Sequence, residues 1–297
     1  MTKQELSVGG AVVFWQLATA NREYVSNALS GRGYADLMPE PPTPLACLKS
    51  ALSEAFPTKS KERVAIRPVE GGYAVVVEPP KDTDRRVGDN WGEVKATAVL
   101  TDEEDEYTLT LNPYNPELRE SLFEAMRTKR RWLTPTAVGK IMVSLVEKLD
   151  GTSYRDNGVV YWMPGRSLNS LEQIADEIEL APKRDGDKDE AMVHILSVCA
   201  NQRLLKAVCA GLTEEVSSEL AAIEADLAEG SLKEEACLNR LVKAGQLQQK
   251  VRRYEADMGT QLTALNAAIE KTSQAVAWTT MQVSNSAIVK DAMVARC

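Results

Sequence analysis

Between Val216 and Ile269 apolar residues return at intervals of three and four, and no other feature restricts the fold of this chain as tightly. Val216, Leu220, Ile223 and Leu227 step along one segment; Val251, Tyr254, Met258, Leu262, Leu265 and Ile269 step along the next. That alternation puts each set on one stripe of a helix, the seam of a coiled coil or a long helical hairpin. From Leu168 onward helix is expected almost throughout, with a polar break over 182–188. One helix is predicted over about 190–229, a turn at Gly230-Ser231, and a second helix from Leu232 to beyond Val276. At about 1.5 Å per residue the first would extend roughly 60 Å. Such an arm is expected to project or to pack against another copy, so the seam implies a homo-oligomer.

The first half reads differently. Phe14, Leu17, Val25 and Leu29 suggest a helix over 11–30, ended by Gly31 and Gly33. Four prolines between Met38 and Pro44 forbid helix and make a stiff connector. Thr43 then caps a helix with Pro44 at its first position, running through Leu45, Leu48, Leu52 and Phe56. Arg63 to Pro68 and Tyr73 to Glu78 are predicted strands joined across Glu70-Gly71-Gly72. Glu93 to Leu100 and Tyr107 to Asn112 form a second hairpin around the acidic turn Asp102 to Glu106, and a helix follows from Asn115 to Arg131. Thr134-Pro135, an apolar helix, Arg155, Gly158 and the strand Val159 to Pro164 echo the earlier order of Thr43-Pro44, helix, Arg67, glycine turn and strand. An ancient duplication and a coincidence of common turn residues both account for that echo. The fold class expected is α+β: an α+β domain over 1–165, with helices around antiparallel hairpins, and a helical domain over 166–297.

Composition narrows the function. Across 297 residues, 35 Lys and Arg stand against 43 Asp and Glu, a net charge of -8. A protein whose main task is to coat nucleic acid usually carries the opposite sign, although a local basic patch survives this argument. Cys47, Cys199, Cys209, Cys237 and Cys297 are odd in number, widely spaced and without a C-x-x-C pair. They read as reduced thiols of a cytoplasmic protein, with neither a disulfide framework nor a zinc knuckle. No stretch approaches the roughly 18 consecutive apolar residues of a membrane span, so no membrane partner is expected.

Reaction chemistry finds little to build on. His194 is the only histidine and falls on a predicted helix, with Cys199 off its face, so packing is the simpler role. There is no phosphate-cradling G-x-x-x-x-G-K-S/T loop, and Gly31-Arg32-Gly33 precedes prolines rather than opening a helix after a strand. The acidic turn lacks the glycine and spaced ligands of a calcium loop. No metal, cofactor or catalytic residue is therefore expected. A rival reading, a hydrolase or nuclease built on carboxylates, would use Glu117, Glu120 and Glu124 on neighbouring helix turns. One patch stands out: Arg127, Lys129, Arg130 and Arg131 end a predicted helix, Trp132 follows, and Lys140 lies on the next helix. Cations interleaved with an aromatic hold phosphates and stack a base, although cations also favour any helix C-terminus.

The segment Gly33 to Pro44 ahead of Leu48-Lys49-Ser50-Ala51-Leu52, together with Arg155 to Pro164, resembles an uncharacterised family of bacterial, phage and plasmid proteins, a domain of unknown function. The likeness covers roughly residues 1–180. It implies a setting on mobile elements or in phage conflict and carries over no catalytic residue. The function expected is that of a non-catalytic oligomeric binding or scaffolding protein, acting on a protein partner and through the basic patch on nucleic acid.

Overall fold

A computed structural model of the chain describes residues 9–57, 63–78, 93–103, 106–153, 159–198, 202–229 and 234–294. Two compact units emerge. A terminal unit gathers 1–17, 142–179 and 190–297, and an inserted unit holds 18–141 with 180–189.

The terminal unit is organised by β1 (Gly10–Gln16). It pairs antiparallel with β10 (Met192–Val198) over seven positions, from Gly10 opposite Val198 to Gln16 opposite Met192. Its other edge pairs with β9 (Tyr161–Pro164), beyond which lies β8 (Thr152–Ser153). The strands of this sheet thus come from both sides of residue 165. Two sequence expectations are corrected here. Residues 10–16 are strand rather than helix, because Val12, Val13, Phe14 and Trp15 favour extended backbone and both edges find a ladder. The helix expected from 190 likewise begins as a strand, so His194 sits in β10 with its ring stacked on Phe14 at 4.5 Å. Only the second half of the expected 11–30 helix forms, as α1 (Arg22–Ser30) in the inserted unit, buried through Val25 and Leu29 and capped by Asn21.

After α5 (Gly165–Leu180) and β10 come α6 (Gln202–Ala228), α7 (Glu234–Met258) and α8 (Thr263–Val294). The turn at Gly230-Ser231 lies outside the described residues. Ion pairs Lys243–Glu219 and Arg240–Asp226 run α6 and α7 antiparallel. The long second helix expected from Leu232 is instead two, broken at Gly259, whose φ of 62° belongs to the left-handed region that glycine tolerates. Glu255 Oε1 stitches the break by accepting from Leu262 N at 2.5 Å and Asn266 Nδ2 at 2.9 Å. Val216, Leu220, Ile223, Val251, Tyr254, Met258, Leu265 and Ile269 are buried, with Leu227 and Leu262 half-buried. Leu204, Val208, Leu212 and Leu247 complete the cluster. The seam is thus covered within one chain.

In the inserted unit, β3 (Arg63–Val69), β4 (Gly72–Glu78), β5 (Glu93–Glu103) and β6 (Glu106–Asn112) form an antiparallel meander in chain order. Gly71 turns the first hairpin at φ 68°. The side chains of the acidic turn lie outside the described residues. Helices α2 (Pro44–Ala55) and α3 (Pro116–Arg131) pack on the sheet, Leu48, Leu52 and Leu122 meeting Val75, Ala98 and Leu109. Thr43 caps α2 by accepting from Ala46 N at 3.2 Å. Thr134 does the same for α4 (Pro135–Lys148) through Ala137 N at 3.2 Å, whereas Arg155 to Gly158 of the echoed motif lie outside the described residues. The short strands β2 (Ala20–Asn21) and β7 (Trp132–Leu133) pair antiparallel.

Helix α6 passes β8 so closely that a Cβ on Gly211 would lie 2.4 Å from the Ser153 carbonyl oxygen. Gly245 on α7 has nothing within 4 Å of the same construction. Alanine gains about 1 kcal/mol over glycine in helix propensity. Gly245→Ala is therefore expected to stabilise by up to that amount, while Gly211→Ala destabilises by about 1–3 kcal/mol through forced backbone displacement. Chemical denaturation reads both signs; a stabilised Gly211→Ala variant would contradict this packing.

Candidate functional site

The carboxyl end of α3 carries the basic cluster, but its members do different work. Arg127 lies on the exposed face and pairs with Glu124 at 3.4 Å and Glu120 at 3.9 Å. The pairing neutralises it, and it also occupies two of the three carboxylates of the hydrolase reading; Glu117 stands exposed one turn away. Lys129 reaches across to Glu54 of α2. Arg131 covers the Trp132 ring, its guanidinium carbon 5.4 Å from the centroid. Arg130, Arg131 and Lys140 are exposed, and none has a carboxylate partner among the described residues.

What holds this end in place is Arg22 of α1, which donates to the Arg130 carbonyl at 3.1 Å and to the Pro39 carbonyl at 2.8 Å. One guanidinium thereby satisfies an orphan carbonyl of the last helical turn and anchors the proline connector. Residue 132 then leaves the helix in extended conformation and pairs with Asn21. The pairing fixes the half-buried Trp132 beside a cavity of about 310 Å³.

Four short segments of the inserted unit line that cavity. Pro42, Ala46 and Cys47 come from the connector and α2; Thr128, Lys129, Trp132, Leu133 and Thr134 come from the end of α3 and β7. Thr19, Ser50 and Arg184 complete it. Thr19 brings Arg184 in: its hydroxyl donates to Asp187 and accepts from Arg184 N at 3.2 Å, while Asn21 N donates to the Pro182 carbonyl at 2.9 Å. The polar break over 182–188 is thus a wall of the site. Its contribution could not be found from spacing, because Lys183-Arg184 reads as an ordinary solvated turn. Cys47 is buried, and burial raises its thiol pKa despite the opposing fields of Arg130, Lys129 and Arg22. It is an uncharged part of the wall rather than a nucleophile.

A second polar cluster lies in the terminal unit, around a cavity of about 350 Å³. Lys250, 7% exposed, donates to the Gly151 carbonyl at 2.8 Å and to Glu215 at 2.6 Å; the other Glu215 oxygen accepts from Thr152 at 2.6 Å. Asp150, held at φ 64°, receives Arg253 at 2.7 Å and Arg166 at 3.1 Å, and its carbonyl accepts from Tyr254 at 2.6 Å. Apart from the Lys250–Glu215 pair, which joins α7 to α6, these contacts tie the loop after α4 to α5, α6 or α7. The cluster is a strut, and removing one partner of such a buried pair costs about 3–5 kcal/mol.

Among the described residues no group of three His, Cys, Asp or Glu is placed to hold a metal ion, and no helix is long and apolar enough to cross a membrane. Cys199 and Cys297 lie outside the described residues. The chain matches the family of unknown function DUF6744 over residues 10–287 and belongs to it. No curated protein and no solved structure matches the chain.

Glu147 borders the strut. Desolvation beside the strut, then repulsion from Glu215, raises its carboxyl pKa against the pull of Lys250 and Lys243, although the residue as a whole is exposed. A carboxyl raised in the folded state disfavours folding once it ionises, so its contribution is neutral in acid and worsens as pH rises above the ordinary carboxyl range. Glu147→Gln is expected to raise the urea midpoint at pH 7, with the gain vanishing near pH ~4, the unfolded Glu value. A gain that is equal at both pH values would contradict this assignment.

Proposed function

We propose that this DUF6744 protein is a non-catalytic binding protein that holds single-stranded nucleic acid on its inserted unit. Trp132 serves as the stacking platform, and Arg130, Arg131 and Lys140 as phosphate partners. The carrying observation is that, in a chain of net charge -8, the Trp132 ring lies under the Arg131 guanidinium and next in sequence to it is the exposed Arg130, with Lys140 a further exposed cation on α4; none of the three has a carboxylate partner among the described residues. Base stacking needs an unpaired base, so single strands are favoured over duplex. Lys129 and Arg127 are spoken for by Glu54, Glu120 and Glu124, which narrows the patch from that read in the sequence. Setting on a phage or plasmid element follows from the sequence resemblance alone. Self-association belongs to the same reading on a separate basis: Trp278 and Met281 of α8, 66% and 62% exposed, offer apolar surface for a second copy to cover.

Fluorescence anisotropy with labelled single-stranded DNA tests the reading. Three neutralised phosphates give a slope of log affinity against log salt of about -2. Trp132→Ala is expected to weaken binding by about 1–3 kcal/mol, and the pair Arg130→Glu, Arg131→Glu to abolish it. A wild-type chain that binds no strand at low salt, or a charge-reversed variant that binds like wild type, would overturn the reading. Light scattering on the same samples reads the self-association: mass that rises with concentration supports it, and a strict monomer removes it.

A further inference from the structure

We infer that the cavity beside Trp132 is a one-nucleotide pocket that takes the phosphorylated end of a nucleic-acid strand. This rests on the single-strand reading and specifies which part of the strand the cavity receives. Its first support is the absence of acid from the wall. Of the eleven residues lining the 310 Å³ space, none is Asp or Glu, and two, Lys129 and Arg184, are cations. The comparable 350 Å³ cavity of the terminal unit is lined by Glu147, Asp150, Glu215 and Glu219 against four basic residues, so its charges cancel. In a chain with an excess of carboxylates, a lining of cations and hydroxyls favours anions, with the carboxylates of Asp187 on Thr19 and Glu54 on Lys129 lying outside that lining. Arg184 has no carboxylate partner among the described residues, and the Glu54 carboxylate that meets Lys129 belongs to a side chain 63% exposed, so a ligand phosphate displaces it without burying a charge.

Size and shape set the class of anion. Ligand pockets begin at about 300 Å³, which leaves room for one nucleotide and not for a run of them. Trp132, Pro42 and Leu133 supply an apolar surface with one π face, and the hydroxyl-bearing residues Ser50, Thr128 and Thr134 supply donors and acceptors around it. Cys47 and Leu133, each 1% exposed, form the buried side of the space. On this reading the last nucleotide of a strand entering beside Trp132 sits against that buried side. Charge agrees: a terminal phosphate monoester carries nearly two negative charges near neutral pH, against one on an internal diester, and the wall holds Arg184 together with Lys129, which the phosphate takes over from Glu54. Because burial keeps Cys47 a neutral thiol, it adds no repulsion. The basic rim of Arg130 and Arg131 then contacts the strand that leads into the pocket.

The experiment compares one single-stranded DNA sequence, on the full-length chain, with a 5′-phosphate, with a 3′-phosphate, with hydroxyls at both ends, and closed into a circle. One phosphorylated form is expected to bind at least tenfold tighter than the hydroxyl and circular forms. Arg184→Ala should erase that preference, bringing the phosphorylated strand down to the affinity of the hydroxyl form. The position is exposed, so the substitution does not disturb the core. Equal affinity for phosphorylated, hydroxyl and circular strands would overturn the pocket while leaving the single-strand reading intact. A nucleoside monophosphate binding as tightly as the phosphorylated strand would overturn the strand end in favour of a free nucleotide. Failure to bind any strand would overturn both readings.

Discussion

The seven-position ladder between β1 and β10 is the constraint on which the rest of the chain depends. It joins residues 10–16 to 192–198, and β9 pairs with the other edge of β1 from Gly10 to Val13, so that half of the strand is bound on both sides. The fit tolerates no side chain at its first position: a Cβ on Gly10 would meet the Trp162 ring at 2.2 Å. Once three distant segments are bound into this sheet and its helices, residues 18–141 must find their own core. They do so with a meander covered by α2 and α3. The candidate site draws only on this inserted unit, from segments near residues 19, 42–50, 128–134 and 184.

Charge is distributed in opposite ways in the two units, and that is why the cavity beside Trp132 is the one proposed as a site. Around Lys250 nearly every cation faces a carboxylate or a carbonyl at hydrogen-bond distance, an arrangement that fixes the loop at Asp150 to Thr152 and leaves nothing over for a ligand. Beside Trp132 the carboxylates are not part of the lining: Glu54 meets Lys129 and Asp187 meets Thr19 from outside it, and the lining itself carries cations and hydroxyls. Unpaired cations at the end of a helix are favourable by a few tenths to 1 kcal/mol through the macrodipole. That explains why they sit at the end of α3, but not why Arg184 joins them from another segment.

Much of the inserted unit was legible in the sequence because its signals are local. Thr43-Pro44, Glu70-Gly71-Gly72 and Asn115-Pro116 each act within a few residues, and the elements they start or join form as read. The misread stretches are those whose conformation is decided by a distant partner. Val12 to Trp15 and Val193 to Ile195 are short apolar runs that fit helix or strand equally until the ladder between them is known. The seam residues from Val216 to Ile269 lie on α6, α7 and α8 except Leu262, because Gly259 divides the return arm, and burial within the chain removes the need for a partner there. At the site, Trp132 and its cations stood out from composition alone. Thr19, Cys47 and Arg184 did not, since they reach the cavity only through the pairing of β2 with β7 and through the turn held by Thr19.

Hydrogen–deuterium exchange of the full-length chain, with and without saturating single-stranded DNA, tests the central claim most directly. The account predicts protection at the amides near Thr19, over 42–50 and 128–134, and at Arg184, with no change around Lys250. Protection confined to the terminal unit, or none at all on a strand shown to be bound, would contradict it.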